Sequence, residues 1–285
     1  MPSSSSRRRS HKKRCSLTME ARDWASLPRD ILVDVFLKLG PCREIMRGAE
    51  RACTAWRRVA VDEPLLWRRI DINAGSSSGL AMARAAVDRS RGQCEAFSGP
   101  VDEDSLIYLV ESAPSLKSLH LSYGQVGSEI LKMALEKLTL LEDLEISTAY
   151  SSANLFKSIC QARPHLEKLR VTFPDDDNKF WGSCDSEFYD GGLREFSTMC
   201  ELRSLELFEF ELSTEGLKAI LDNCPLLELL HVFGSFFDFE EMDEELELKC
   251  ARVKNLILPF DGDEDDYGYY GEPWGWGQSS EDEFY

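Results

Sequence analysis

The chain has 285 residues, 43% of them hydrophobic, and a formal net charge of −18. That length gives room for one or two domains and that composition for a sizeable core, while the lack of any run of 18 apolar residues leaves neither a transmembrane helix nor a membrane partner to expect. The acidic surplus disfavours nucleic acid, whose phosphates need cationic surface, and suits a basic or neutral protein partner.

Residues 1–22 are Ser-rich and then basic, with six Lys or Arg between positions 7 and 14. They carry neither helical nor strand periodicity and read as a disordered basic tail. The run RRRSHKKR is either a solvated tail or a nuclear-import patch. No apolar segment behind it would make a secretory signal, so the expected location is the nucleus and/or the cytoplasm. Nine Cys are spread with no two closer than eleven positions, as at Cys42 and Cys53. That leaves no zinc-finger spacing, and the thiols read as reduced and mostly buried. No metal site and no cofactor are expected.

Residues 23–72 begin with helix signals. Ser26 can cap, and Pro28 fits a first turn, where its missing N–H is harmless. Ile31, Leu32, Val35, Phe36 and Leu39 form one apolar stripe, and Gly40-Pro41 ends it. Ile45, Met46, Ala49, Ala52, Cys53, Trp56, Val59 and Ala60 give a second helical pattern, which breaks near Gly48. Pro64-Leu65-Leu66-Trp67 closes the unit. Three short helices hide little of this surface alone. Leu27, Pro28, Ile31, Phe36 and Trp56 are therefore candidates for burial against a partner. The alternative is a small internal core, or packing on the domain that follows.

The order Leu27-Pro28-x-x-Ile31-Leu32-x-x-Val35-Phe36-x-x-Leu39, then Cys53-x-x-Trp56-Arg57, then Pro64-Leu65-Leu66-Trp67, resembles an F-box. Ala52 departs from it, since a larger aliphatic residue often precedes the Cys. The resemblance implies a small three-helix unit that docks on a Skp-family adaptor and, through it, a cullin. The adaptor contacts it implies fall on Leu27, Pro28, Ile31, Leu32, Phe36 and Leu39, and on Trp56.

Residues 73–92 open on a Gly/Ser break and continue as a helical stretch, read as a linker. From 93 to 260 a Leu-x-x-Leu-x-Leu template recurs. Its first positions are Leu116, Leu141, Leu166, Leu202, Leu227 and, more loosely, Val253, with steps of 25, 25, 36, 25 and 26. Cys94-x-x-Phe97 is a degenerate first copy. Helical apolar positions fill the intervals, and Pro114, Pro164 and Pro225 each stand two residues before a template Leu, where they end the preceding helix. This period and template resemble leucine-rich repeats. The fold class expected is thus α/β: the helical unit, then a curved solenoid with a parallel concave sheet and outer helices. The longer step places an acidic, aromatic insertion at 175–192.

Side chains alternate along a strand, so the residues between template positions face the concave side. Candidate target contacts are His120, Glu145, Arg170, Glu206, Phe208, His231 and Phe233. The Phe residues between 208 and 239 serve either to cap the open end of the solenoid or to anchor a bound segment. His120 and His231 read as surface residues rather than a catalytic or metal pair. No catalytic set is visible, so no enzymatic activity is expected. Residues 261–285 carry nine acids and no Lys or Arg and read as a disordered tail.

Together these features resemble the F-box/leucine-rich-repeat proteins widespread in plants. That resemblance implies the non-catalytic substrate-recognition subunit of an SCF-type (Skp–cullin–F-box) ubiquitin ligase, with an unknown target protein on the repeats. The alternative is an acidic leucine-rich-repeat protein or chaperone for basic partners such as histones. That alternative leaves the first helices without a role.

Overall fold

The computed structural model describes residues 23–40, 42–72, 77–124, 126–148, 154–173, 193, 199–236 and 243–259. The basic segment 1–22, the insertion 175–192 and the acidic segment 261–285 lie outside the described residues.

A 3-10 turn at Trp24–Ser26 precedes α1 (Arg29–Leu39). Asp23, not Ser26, caps that turn, through the Ala25 N–H at 3.1 Å. Pro28 stands one residue before α1 rather than within its first turn. Gly40, at φ 85°, ends the helix in a conformation that side chains resist. Next come α2 (Cys42–Arg47), a turn at Ala49–Arg51, α3 (Thr54–Asp62) and a turn at Pro64–Trp67.

The sheet starts earlier than the Leu-rich template suggests. Strand β1 (Arg69–Asp71) follows Trp67 directly and pairs in parallel with β2 (Ala96–Pro100). Trp67-x-x-Ile70-x-Ile72 is a repeat copy with Trp and Ile in place of Leu, and all three side chains are buried. The helical stretch taken as a linker is α4 (Ser77–Ser90), which packs on β1, β2 and the Pro64–Trp67 turn as the first outer helix. The solenoid therefore begins inside the last residues of the helical unit.

The pattern then repeats as α5 (Glu103–Ser112), β3 (Ser118–Gly124), α6 (Ser128–Lys137), β4 (Asp143–Thr148), α7 (Leu155–Ala162) and β5 (Lys168–Thr172). It continues as β6 (Ser204–Leu212), α8 (Thr214–Asn223), β7 (Leu229–Phe236), α9 (Glu244–Ala251) and β8 (Asn255–Ile257). All eight strands form one parallel sheet in chain order. Ala113, Arg163 and Cys224 end α5, α7 and α8 with closely similar backbone angles, each directly before its proline. From Arg68 to Arg203, the carbonyl after a turn's first template residue accepts two N–H groups from the next turn. Glu95 accepts from Lys117 and Ser118, and Glu142 from Glu167 and Lys168. The longer interval leaves this register intact, since Lys168 still pairs with Ser204 and Arg170 with Glu206.

The template leucines fill one continuous core that runs from Phe36 to Val253. The helical unit is part of it: Cys42, Ile45, Met46, Ala60, Leu66 and Trp67 join Ala83, Ala86 and Val87 of α4. Trp67 donates its indole N–H to the Ala60 carbonyl at 2.8 Å. Arg89 of α4 lies 4.9 Å above the Trp67 ring and meets Glu50 at 2.7 Å, so one side chain ties three elements. Because the core is shared, Trp67→Ala should cost about 3–5 kcal/mol. Urea denaturation followed by far-UV dichroism should give one transition, moved to lower urea. Separate melting of a helical unit and a solenoid would contradict the shared core.

Candidate functional site

Two surfaces collect the residues singled out from the sequence. The first is on the helical unit. The α1 stripe divides, because positions four apart share a face while adjacent ones do not. Leu32 and Phe36 are 1% and 0% exposed and belong to the chain's own core. They support α1 and offer no surface to a partner, which corrects the expectation of contacts there. Ile31 and Leu39, with Val35 between them, form the flank beside it and are 47% and 43% exposed. Trp24, Leu37 and Leu65 are exposed as well.

Trp56 is half-buried and already engaged. Its indole N–H donates to the Trp24 carbonyl at 2.8 Å, and its ring meets Phe36 edge-on at 5.6 Å. It holds the Trp24–Ser26 turn against α1, so its first role is internal. Pro28 is exposed and Leu27 half-buried. Leu27 lines a shallow pocket of about 250 Å³ between α1 and α3, together with Arg29, Leu32, Ala55, Arg58, Val59 and Asp62.

The second surface is the open face of the sheet. The register places His120, Glu145, Arg170, Glu206 and His231 side by side on β3 to β7. Within this row Arg170 lies between two carboxylates. Arg170 Nη2 meets both Glu206 oxygens at 2.8 and 2.9 Å, and Arg170 Nη1 lies 3.6 Å from Glu145. The same Glu145 oxygen is 3.5 Å from His120 Nδ1. A pocket of about 520 Å³ opens over this row.

Beside the row sits an aromatic step. Phe208 and Phe233 stack at 4.9 Å with their planes 11° apart, and Arg170 lies 5.8 Å from the Phe208 ring. A bulge creates this step. Glu209 takes φ 54° where the β6–β7 register shifts, so Phe208 stays on the open face while Phe210 turns inward onto Phe156 and Phe173. Gly234 is required opposite the bulge, at φ 148°, because a Cβ there would stand 2.1 Å from the Phe210 carbonyl oxygen. Of the Phe group, Phe210 is therefore core, and Phe237 and Phe239 lie outside the described residues. His231 packs edge-on against Phe233 at 6.0 Å, with Nε2 buried and unbonded among the described residues.

The pocket is also lined by Asp143, Lys168, Arg203 and Glu228, which were not among the candidate target contacts. Arg203 and Glu228 belong to a column at the second template position. There Arg68 meets Glu95 at 2.5 Å, Arg203 meets Glu228 at 3.1 Å, and Lys254 meets Glu228 at 3.0 Å. Charge recurring at the second position of each copy was the signal available in the sequence. Among the described residues no group of three His, Cys, Asp or Glu is placed to hold a metal. The thiols of Cys94 and Cys224 are pushed up to about 12 by burial, which keeps them un-ionised and unreactive at neutral pH.

Residues 24–73 match the family model described as F-box-like. The chain is 35% identical over 259 residues to F-box/LRR-repeat protein 22 of Arabidopsis thaliana, covering 87% of this chain and 80% of that protein. It is 33% identical over 233 residues to F-box protein SKIP19 of the same plant, covering 76% and 71%. Among solved structures, the complex of Rad7 and Elc1 in yeast matches with a TM-score of 0.45 at 17% identity, covering 72% of this chain and 54% of that one.

The row of charges should make stability depend on pH. The Asp143 carboxylate, 3.7 Å from His120 Nε2, raises the imidazole above its ordinary value of 6.5, and Glu145 adds to this. A raised folded value means the stabilisation is complete below about 6.5 and fades as pH climbs through that higher value. Wild type should therefore lose its advantage over His120→Asn between pH 6 and pH 8.5 in denaturant titrations. At this exposure the change should stay under about 1 kcal/mol. An advantage that grows with pH would contradict the geometry.

Proposed function

Because the chain belongs to the F-box/leucine-rich-repeat family, we propose that it is the substrate-recognition subunit of an SCF-type ubiquitin ligase. One observation supports this most. The helical unit has closed its own core with Leu32, Phe36 and Trp67, yet leaves Ile31 and Leu39 of one α1 face 47% and 43% exposed. A folded domain that has satisfied its core and still shows such a patch offers it to another protein. In this reading a Skp-family adaptor takes the Ile31–Leu39 face and the Leu27–Pro28 edge, and a cullin joins through the adaptor.

The open sheet face then holds the target. Arg170, Glu206, His231, Phe208 and Phe233 supply a charged row beside an aromatic step, the mix of orienting and anchoring groups that protein recognition uses. The chain does no bond chemistry in this scheme. It keeps a target lysine close to a ubiquitin-loaded enzyme, so that effective concentration replaces chance encounter.

The test uses the full chain. Wild type should capture a Skp-family adaptor, and the exposed double variant Ile31→Asp/Leu39→Asp should weaken capture by about a hundredfold or more while keeping its melting temperature. Phe36→Asp would unfold the unit and is no substitute. Proximity labelling with the double variant as a trap should identify targets, and Arg170→Glu/Glu206→Lys/His231→Ala should lose them while still capturing adaptor. If wild type captures no adaptor, or the folded double variant captures it equally well, the proposal fails.

Location follows as a smaller proposal. Residues 7–14 direct part of the protein to the nucleus. A fluorescent fusion without them should shift toward the cytoplasm, and an unchanged distribution would remove this role.

A further inference from the structure

The charged pocket leaves one group unmatched. Each of its carboxylates has a cation or imidazole nearby: Asp143 has His120, Glu145 and Glu206 have Arg170, and Glu228 has Arg203. Lys168 is the exception. Its exposed side chain lines the same pocket, yet makes no ion pair or hydrogen bond among the described residues.

Its neighbours explain why. The register sets Lys168 between Asp143 on β4 and Ser204 on β6. Asp143 is engaged on the far side, where it accepts the Ser118 hydroxyl at 3.2 Å and meets His120 of β3 at 3.7 Å. Ser204 is half-buried, and its hydroxyl makes no hydrogen bond among the described residues. Leu229, next in the row on β7, offers no polar side-chain group. A spare ammonium and a spare hydroxyl therefore stand side by side, two donors without an acceptor.

The aromatic step lies further along the same strands. Phe208 is four residues beyond Ser204 on β6, and its β5 partner Thr172 is four beyond Lys168. The bulge at Glu209 comes after this interval, so the distance is that of a regular strand, about 13 Å. An extended chain laid along β6 has the same rise, and its side chains four apart point the same way. Between the two ends the floor is the Arg170–Glu206 pair, already closed by two bonds.

We propose that the open face takes an extended target segment by two side chains four residues apart. A carboxylate sits on Lys168 and Ser204, and a large apolar group sits on the Phe208–Phe233 step. This rests on the reading that the open face holds the target, and adds the chemistry of the segment. The anion is a carboxylate rather than a phosphoryl group. Lys168 brings one charge, and Asp143, Glu145 and Glu206 on the flanking strands oppose the second charge that a phosphoryl group carries near neutral pH.

The test measures binding of the full chain to fluorescent peptides and uses no adaptor. A chain that binds them but captures no adaptor would sink the ligase reading and keep this one. The probes are amidated peptides with Glu and Trp four positions apart, in both orders, on a Gly/Ser/Thr background. One order should bind. Changing its Glu to Gln should weaken binding about tenfold, the scale of one charge-assisted contact. Changing its Trp to Ser should weaken binding as much, and phosphoserine in place of Glu should bind no tighter than Glu. Lys168→Met, at an exposed position, should keep its melting temperature, bind the Glu and Gln peptides alike and still prefer Trp. The proposal is overturned by no binding in either order, by equal binding of the Glu and Gln or the Trp and Ser peptides, or by tighter binding of phosphoserine. A Glu preference that survives in folded Lys168→Met overturns it too. If that variant does not fold, the wild-type peptide comparisons decide alone.

Discussion

The buried indole of Trp67 is the joint on which the molecule is built. It finishes the helical unit, through its bond to the Ala60 carbonyl, and it occupies the first template position of the first solenoid turn. Ile70 and Ile72 continue from it into the sheet core. A ring this size, fully enclosed and with its one polar atom bonded, has a single low-energy placement. Arg89 above it and Glu50 beyond add a polar tie from α4 to the same point. The exposed face of α1 and the open face of the sheet are thus fixed relative to each other by packing rather than by a hinge.

Beyond that joint, the architecture follows from one rule applied turn after turn. Template side chains point inward at fixed spacing, so each strand must sit in register with its neighbours, and the residues between them must form rows across the open face. The row of His120, Glu145, Arg170, Glu206 and His231 is a by-product of that register. Even the longer interval before β6 leaves the row unbroken. Buried Leu193 and Met199 stand in that interval, where the chain regains the core.

Much of this was legible in the sequence, because a leucine period and helix-ending prolines state a solenoid directly. Leu116, Leu141, Leu166, Leu202 and Leu227 are all buried at their template positions. What stayed hidden has physical reasons. Trp67-x-x-Ile70-x-Ile72 escaped notice because its side chains differ from Leu and because Trp67 also completes the helical motif. The α1 stripe reads as one face since a wide apolar arc does not reveal that Leu32 and Phe36 turn into the core while Ile31 and Leu39, on its flank, stay exposed. Ser26 looked like the helix cap because residue type favours it, but it ends the preceding turn, and Pro28 stands at the N-cap of α1 without a side-chain bond. The turn of backbone at Glu209 leaves no mark in composition, yet it decides that Phe208 is open and Phe210 is core.

The pairing within the charged row bears on how fast a partner can arrive. The pocket's four carboxylates, Asp143, Glu145, Glu206 and Glu228, face three fixed cations, Lys168, Arg170 and Arg203, and His120 makes the balance even when protonated. A face so nearly neutral projects little field into solvent, although the chain as a whole carries −18. For a target held on this face as proposed, encounter is governed by diffusion and orientation rather than by steering, and ionic strength should hardly alter the association rate. Discrimination between partners falls instead on residence time, set by how well an arriving segment replaces the contacts that Arg170 and Phe208 already make with their own neighbours.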